Sequence, residues 1–172
     1  MKILESDFLT AHAACWTASQ APDFSVVNVH ATEIPAPAAK IFPQLGSRDL
    51  LAPGPFWKFL LGFRAVIGRL FGWDPGQGDP KPQAIEPGQY FAFFHVIHVD
   101  APRELGMTVE NRLTRALMCW VLRENSVGTM VYNFTCANFK GRQGRLYWQI
   151  ICPFRDGLIE GLLLLLSRRA LT

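Results

Sequence analysis

The chain has 172 residues, 49% of them hydrophobic and 18% charged, which suits one domain with a single sizeable core and excludes a disordered or low-complexity protein. Its formal charge of +3 comes from dispersed Lys and Arg rather than a basic run, so no nucleic-acid partner is expected. The four cysteines, Cys15, Cys119, Cys136 and Cys152, form no C-x-x-C pair, which leaves no zinc knuckle or redox motif and predicts buried free thiols.

At the N-terminus, Glu5 and Asp7 interrupt the apolar run that a signal peptide requires. Residues 1–22 are therefore read as an extension on a cytoplasmic protein. FSVVNVHAT, Phe24 to Thr32, reads as a strand from its β-branched content, and the prolines of PAPAAKIFPQL suit the start of a short helix that Pro43 ends. PFWKFLLGFRAVIGRLFGW, Pro55 to Trp73, spaces Lys58, Gly62, Ala65 and Arg69 as a helix would, with apolar residues at most other positions, so it predicts a helix buried on nearly all sides. DPGQGDPKPQAIEPG, residues 74–88, is a Pro- and Gly-rich loop.

Strands follow: Gln89 to Val99, Leu105 to Asn111, Thr114 to Glu124 and Val127 to Phe139, joined by short turns that favour antiparallel neighbours. In the last hairpin, an odd-length loop within ENSVG would pair Leu122, Trp120 and Met118 with Met130, Tyr132 and Phe134. That register gives one large apolar face and leaves Arg115, Arg123, Thr129 and Thr135 on the other, predicting a sheet covered on one side only.

GRLYWQIICPFRDGLIEGLLLLLSRR, Gly144 to Arg169, is the most apolar stretch of the chain. It is no membrane span: Arg155, Asp156 and Glu160 cost about 2.5 to 3.5 kcal/mol each at a bilayer centre, while each Leu, Ile or Phe returns only about 0.3 to 0.6 kcal/mol. Leu146, Ile150, Phe154, Leu158, Leu162 and Leu165 recur at helical spacing opposite Gln149, Asp156, Glu160 and Ser167, as in an amphipathic helix. Pro153 admits two readings, a kink in one long helix or the first residue of a shorter helix after a strand at Arg145 to Ile151; the single kinked helix is the expectation. Gly157 and Gly161, four apart on the apolar side, let another backbone approach or leave a hollow. The five leucines Leu162 to Leu166 must touch core, a second subunit or a membrane surface.

FKGRQGRLYWQIICPF followed by the Leu-rich helix resembles the end of the DUF2867 family, a branch of the START-like (SRPBCC) superfamily, and GFRAVIGRLFGW resembles an earlier helix of that family. The resemblance runs from about Phe24 to Ala170. It implies an α+β helix-grip (START-like) fold, with a curved antiparallel sheet wrapped around a long C-terminal helix and a cavity between them, in a single domain spanning residues 1–172. The family commonly has His after the Pro-Phe pair; here Arg155 stands there, and its guanidinium suits an anionic group instead.

On that framework Phe93, Met107, Met118, Trp120, Tyr132, Phe134, Tyr147 and Phe154 line a cavity for a small, mainly apolar ligand, with His95 or Tyr147 fixing its orientation. A packed, filled core explains the same residues equally simply. His95 and His98 lie an odd number apart on one strand and so point to opposite faces, which argues against a metal site. No cofactor is expected, and no phosphate loop or nucleophile elbow occurs. The alternatives are a cyclase- or aromatase-like enzyme using His95 or a tyrosine as acid or base, and a protein with a filled core whose leucines form a homodimer or peripheral membrane surface.

Overall fold

The computed structural model describes residues 2–3, 5–46, 85–91 and 94–170, and, between 47 and 84, residues 55, 56, 59, 62, 63 and 66. Phe93 and most of the 74–88 loop lie outside the described residues. The elements run in the order β1 (Lys2–Ile3), α1 (Glu5–Ala11), α2 (Trp16–Gln20), β2 (Val26–Ile34), α3 (Ala38–Ile41), β3 (Tyr90–Phe91), β4 (Phe94–Asp100), β5 (Glu104–Glu110), β6 (Thr114–Glu124), β7 (Thr129–Phe139) and a C-terminal helix, α4 (Gly141–Ala170). A 3-10 turn, Phe42–Gly46, follows α3, as Pro43 requires.

The seven strands among the described residues form one antiparallel sheet in the order β1-β2-β7-β6-β5-β4-β3. Five of them are seven residues or longer, while β1 and β3 are two-residue strands at the edges. The run expected as one strand from Gln89 to Val99 is instead folded on itself, with Tyr90 opposite His95 and Phe91 opposite Phe94.

The β6–β7 register differs from the expected one by a single residue. Leu122 faces Val131, Trp120 faces Asn133 and Met118 faces Thr135, because the loop has four residues, an even number. Asn125 Oδ1 closes it by accepting from the Val127 and Gly128 amides, both at 2.9 Å. A slip of one residue exchanges faces, so Tyr132 and Phe134 lie across the sheet from Trp120.

Both faces are covered, not one. On the first, α3 and the second half of α4 pack Ile41, Ile159, Leu162, Leu163 and Leu166 on Ile34, Val96, Leu105, Met107, Trp120, Leu122 and Val131. On the second, the N-terminal residues supply Phe8, Cys15, Ala18 and Ala21 against Val29, Leu117, Cys119, Val121, Phe134 and Cys136. The result is three layers with the sheet in the middle.

α4 is continuous through position 153, so the single-helix reading holds over the strand-and-helix one. Its start packs tightly: a Cβ on Gly144 would collide with the Leu113 carbonyl and meet the Phe139 backbone at 3.5 Å. The expected stripe holds in the second half of the helix, where Leu158, Leu162 and Leu165 pack on the core, and fails in the first, where Trp148 faces inward and Leu146, Ile150 and Phe154 are exposed. Phe56, Phe59, Phe63 and Val66 are also exposed, in contrast to the all-round burial expected of that helix.

Candidate functional site

The sheet floor beneath α4 is divided in polarity. Reading across the strands, Leu105, Trp120, Asn133 and His30 form one row, and Met107, Met118, Thr135 and Asn28 form the next. The β5–β6 half is apolar, and the β7–β2 half carries amide, imidazole and hydroxyl groups. Asn133, His30 and Thr135 are buried as deeply as Trp120 and Leu105.

The helix carries a charge in its middle. Its start lies against the end of β7, with Gly144 against Phe139 and the Trp148 ring 5.7 Å from that of Phe139. Arg155 has only 12% of its side chain exposed. Its guanidinium lies over the Trp148 ring, 4.7 Å from the centroid, Nε donates to Asp156 Oδ1 at 2.9 Å, and Nη2 donates to Asp156 and to Cys152 Sγ. Cation–π contact and ion pair together fix the plane of the group.

Two polar atoms remain open, one on the floor and one on the helix. Thr135 Oγ1 donates to Asn133 Oδ1 at 2.9 Å, which leaves the buried Asn133 Nδ2 with no hydrogen-bond partner, and Arg155 Nη1 is likewise buried without one. Such atoms cost about 1 to 3 kcal/mol each when nothing satisfies them, so they mark a place where a guest group would be welcome.

The expected lining residues separate accordingly. Met107, Met118 and Trp120 lie on the floor beneath the helix, and Arg155 is partly buried on α4. Tyr132 and Phe134 are on the opposite face, against Phe8, by the register difference described above. Phe154 is on the outer side of α4, 52% exposed, and Tyr147 is half-buried on that helix. His95 pairs with Thr108, so it shares the side away from α4 and stacks on Tyr90 at 4.8 Å. A bulge between Val96 and His98 resets the alternation and brings His95 and His98 to one face rather than two. No group of three or more His, Cys, Asp or Glu side chains converges among the described residues. The residues missed from sequence were Asn133, Thr135 and His30. The alternation of Val131, Asn133 and Thr135 would have found them, once the loop was given four residues.

The other face gathers titratable groups. Glu104 is buried and accepts from Thr17 N and Oγ1, both at 3.2 Å, and from Arg123 Nη2 at 3.0 Å. His12 stacks edge-on to Tyr132 at 4.8 Å. Burial, assisted by Arg123 and opposed by Glu104, lowers the His12 pKa, and burial raises that of Tyr132. Trp16 stacks on His98 at 4.3 Å, and only glycine fits beneath it, since a Cβ on Gly106 would meet the indole at 2.5 Å.

Solved structures share this fold at low identity. A protein from Rhizobium leguminosarum matches with a TM-score of 0.54 and 15% identity, covering 84% of this chain and 93% of that one. Proteins from Mycobacterium smegmatis (TM-score 0.52, 9% identity, 84% and 90% covered) and Geobacillus kaustophilus (0.50, 11%, 84% and 95%) are also similar. No curated protein matches the chain. Residues 20–162 match the family described as "Protein of unknown function (DUF2867)", and the chain, an α+β protein with an antiparallel sheet and a long C-terminal helix, belongs to that family.

Proposed function

We propose that this chain is a cytoplasmic helix-grip domain of the START-like kind that holds a small, mainly apolar ligand between its sheet and α4. The observation that carries the reading is the divided floor: a buried apolar half at Leu105, Met107 and Trp120 runs into a buried polar half whose Asn133 Nδ2 has no hydrogen-bond partner. An apolar body would gain from burial on the first half and be oriented by the second. A filled core has no use for the open donors. The free thiols of Cys15, Cys119 and Cys136, all buried, fit a reducing compartment.

The cyclase- or aromatase-like reading has less support, since His95 and Tyr132, two of the three groups it could use as acid or base, lie on the side away from α4, which leaves Tyr147 on the helix itself. One observation favours surface contact as an additional property. Leu146, Ile150 and Phe154 form an exposed apolar stripe on α4, beside the exposed Arg142 and Arg145, as at a membrane surface. No helix of the described residues is long and apolar enough to cross a membrane. Flotation with anionic liposomes, reduced by Ile150→Ser with Phe154→Ser, would support that contact.

The ligand reading is tested by native mass spectrometry of gently purified protein, followed by extraction and small-molecule mass analysis. A discrete apolar compound at about one per chain is the expected outcome. A bare protein mass, unchanged after incubation with apolar extracts of the expression host, would contradict it.

A further inference from the structure

Single exposed apolar side chains are ordinary on a protein surface, but gathered ones mark a contact. Among the described residues eleven large apolar side chains are exposed, and eight of them fall into two helical stripes. Leu146, Ile150, Phe154 and Leu164, 52% to 60% exposed, share one face of α4. Leu146 and Leu164 stand about five turns, or about 27 Å, apart at the same angle around the axis, and the positions of that face between them include Gly157 and Gly161, which raise no side chain. The second stripe is Phe56, Phe59, Phe63 and Val66, 56% to 69% exposed and spaced three or four residues apart, with the Phe59 and Phe63 rings stacked at 6.3 Å.

Both stripes belong to stretches that carry cations and no acid. Between Asp49 and Asp74 the charged residues are Lys58, Arg64 and Arg69, and from Lys140 to Arg155 they are Lys140, Arg142, Arg145 and Arg155. Arg142, Arg145 and Arg168 are exposed and in no ion pair among the described residues, while Glu160 is the exposed acid of α4. We infer that the partner of both stripes is an anionic lipid bilayer: α4 lies along the headgroup layer from Arg142 to Arg168, and the phenylalanines of the earlier helix enter the same layer. The inference rests on the surface-contact reading above, extends it from the start of α4 to its whole outer face and to a second helix, and fixes the sign of the lipid charge. A second copy of the chain fits less well. In a parallel pair of α4 helices each arginine meets its own copy, and in an antiparallel pair Arg142 and Arg145 meet Arg168, with Glu160 alone to answer them. A bilayer surface takes both features at once, because leucines and rings reach the acyl boundary while the arginines extend to the phosphates.

The test is co-sedimentation of the full chain with vesicles of phosphatidylcholine alone and of an equal mixture with phosphatidylglycerol, at low and at high salt. Partition onto the mixed vesicles is expected to exceed that onto phosphatidylcholine by about tenfold or more, and to fall with salt. Phe59→Ser with Phe63→Ser is expected to lower it about tenfold or more, and Leu164→Ser about threefold or more. Arg142→Gln with Arg145→Gln should lower it about tenfold on the mixed vesicles and leave binding to phosphatidylcholine unchanged. All these side chains are exposed, and circular dichroism checks that each variant keeps its helices. If Ile150→Ser with Phe154→Ser releases the protein while the Phe59, Phe63 and Leu164 variants bind as before, the present inference is overturned and the narrower contact at the start of α4 stands. Equal binding to the two vesicle types overturns the anionic partner. Binding to neither overturns both readings, and a dimer in sedimentation velocity that Leu164→Ser dissociates would then assign the face to a second copy.

Discussion

The two faces of the sheet treat buried polar groups in opposite ways. Under the N-terminal segment, Glu104 is buried but receives three hydrogen bonds, two from Thr17 and one from Arg123. Under α4, Asn133 is buried with its Nδ2 left open. A satisfied buried carboxylate ties layers together, whereas an unsatisfied amide weakens the fold unless something else completes it. The face under the N-terminal segment is thus read as structure and the face under α4 as a site. His12, whose buried Nε2 has no partner, is the exception under the N-terminal segment, and burial answers it by favouring the neutral ring.

The contrast can be broken most forcefully at Phe8, which packs on Phe134, Tyr132 and His12. Phe8→Ala is expected to cost about 3 to 5 kcal/mol in denaturant unfolding, showing that the N-terminal segment is an integral layer. A loss below about 1 kcal/mol would make it a dispensable cover. Next in size, Glu104→Ala leaves the Thr17 and Arg123 donors without their acceptor, at an expected cost of about 2 to 4 kcal/mol by the same measurement.

Asn133→Leu should act more mildly. It removes the open Nδ2 but also the Oδ1 that accepts from Thr135, so the two changes offset and the net effect on the empty protein is expected to stay within about 1 kcal/mol. Equal destabilisation at Glu104 and Asn133 would erase the distinction between the faces. The smallest effect concerns pH. His12 binds its proton less readily folded than unfolded, so the unfolded state takes up more protons below the ordinary imidazole value near 6.5. Its contribution to stability is complete above that value and is lost as pH falls through it towards the lowered folded value. His12→Phe should flatten the melting temperature between about pH 7 and 5.

Much of the fold was legible in the sequence because it follows from local signals. The β6 strand shows in the β-rich run from Thr114, the α3 stop in Pro43, and the long helix in the residues following FKGRQG. Family membership was legible in GRLYWQIICPF and its leucine-rich continuation. What local pattern could not supply was parity. A four-residue loop at Asn125 to Gly128 and a bulge beside Ile97 each moved side chains to the other face, and together they relocated Tyr132, Phe134 and His95. The inner stripe of α4 was also hidden, since apolar residues occupy both sides of that helix and only tertiary packing chooses Trp148 over Ile150. The N-terminal layer has short helices with weak periodicity, and its burial comes from the sheet beneath it.

The most direct test of the central claim is a nuclear magnetic resonance titration of the unmodified protein with undecane, following side-chain signals. The account predicts that Asn133 Nδ2 and the Trp120 indole shift and saturate together, while Tyr132 and Phe134 stay where they are. Shifts confined to Leu146, Ile150 and Phe154, or to the Tyr132 side of the sheet, would contradict it.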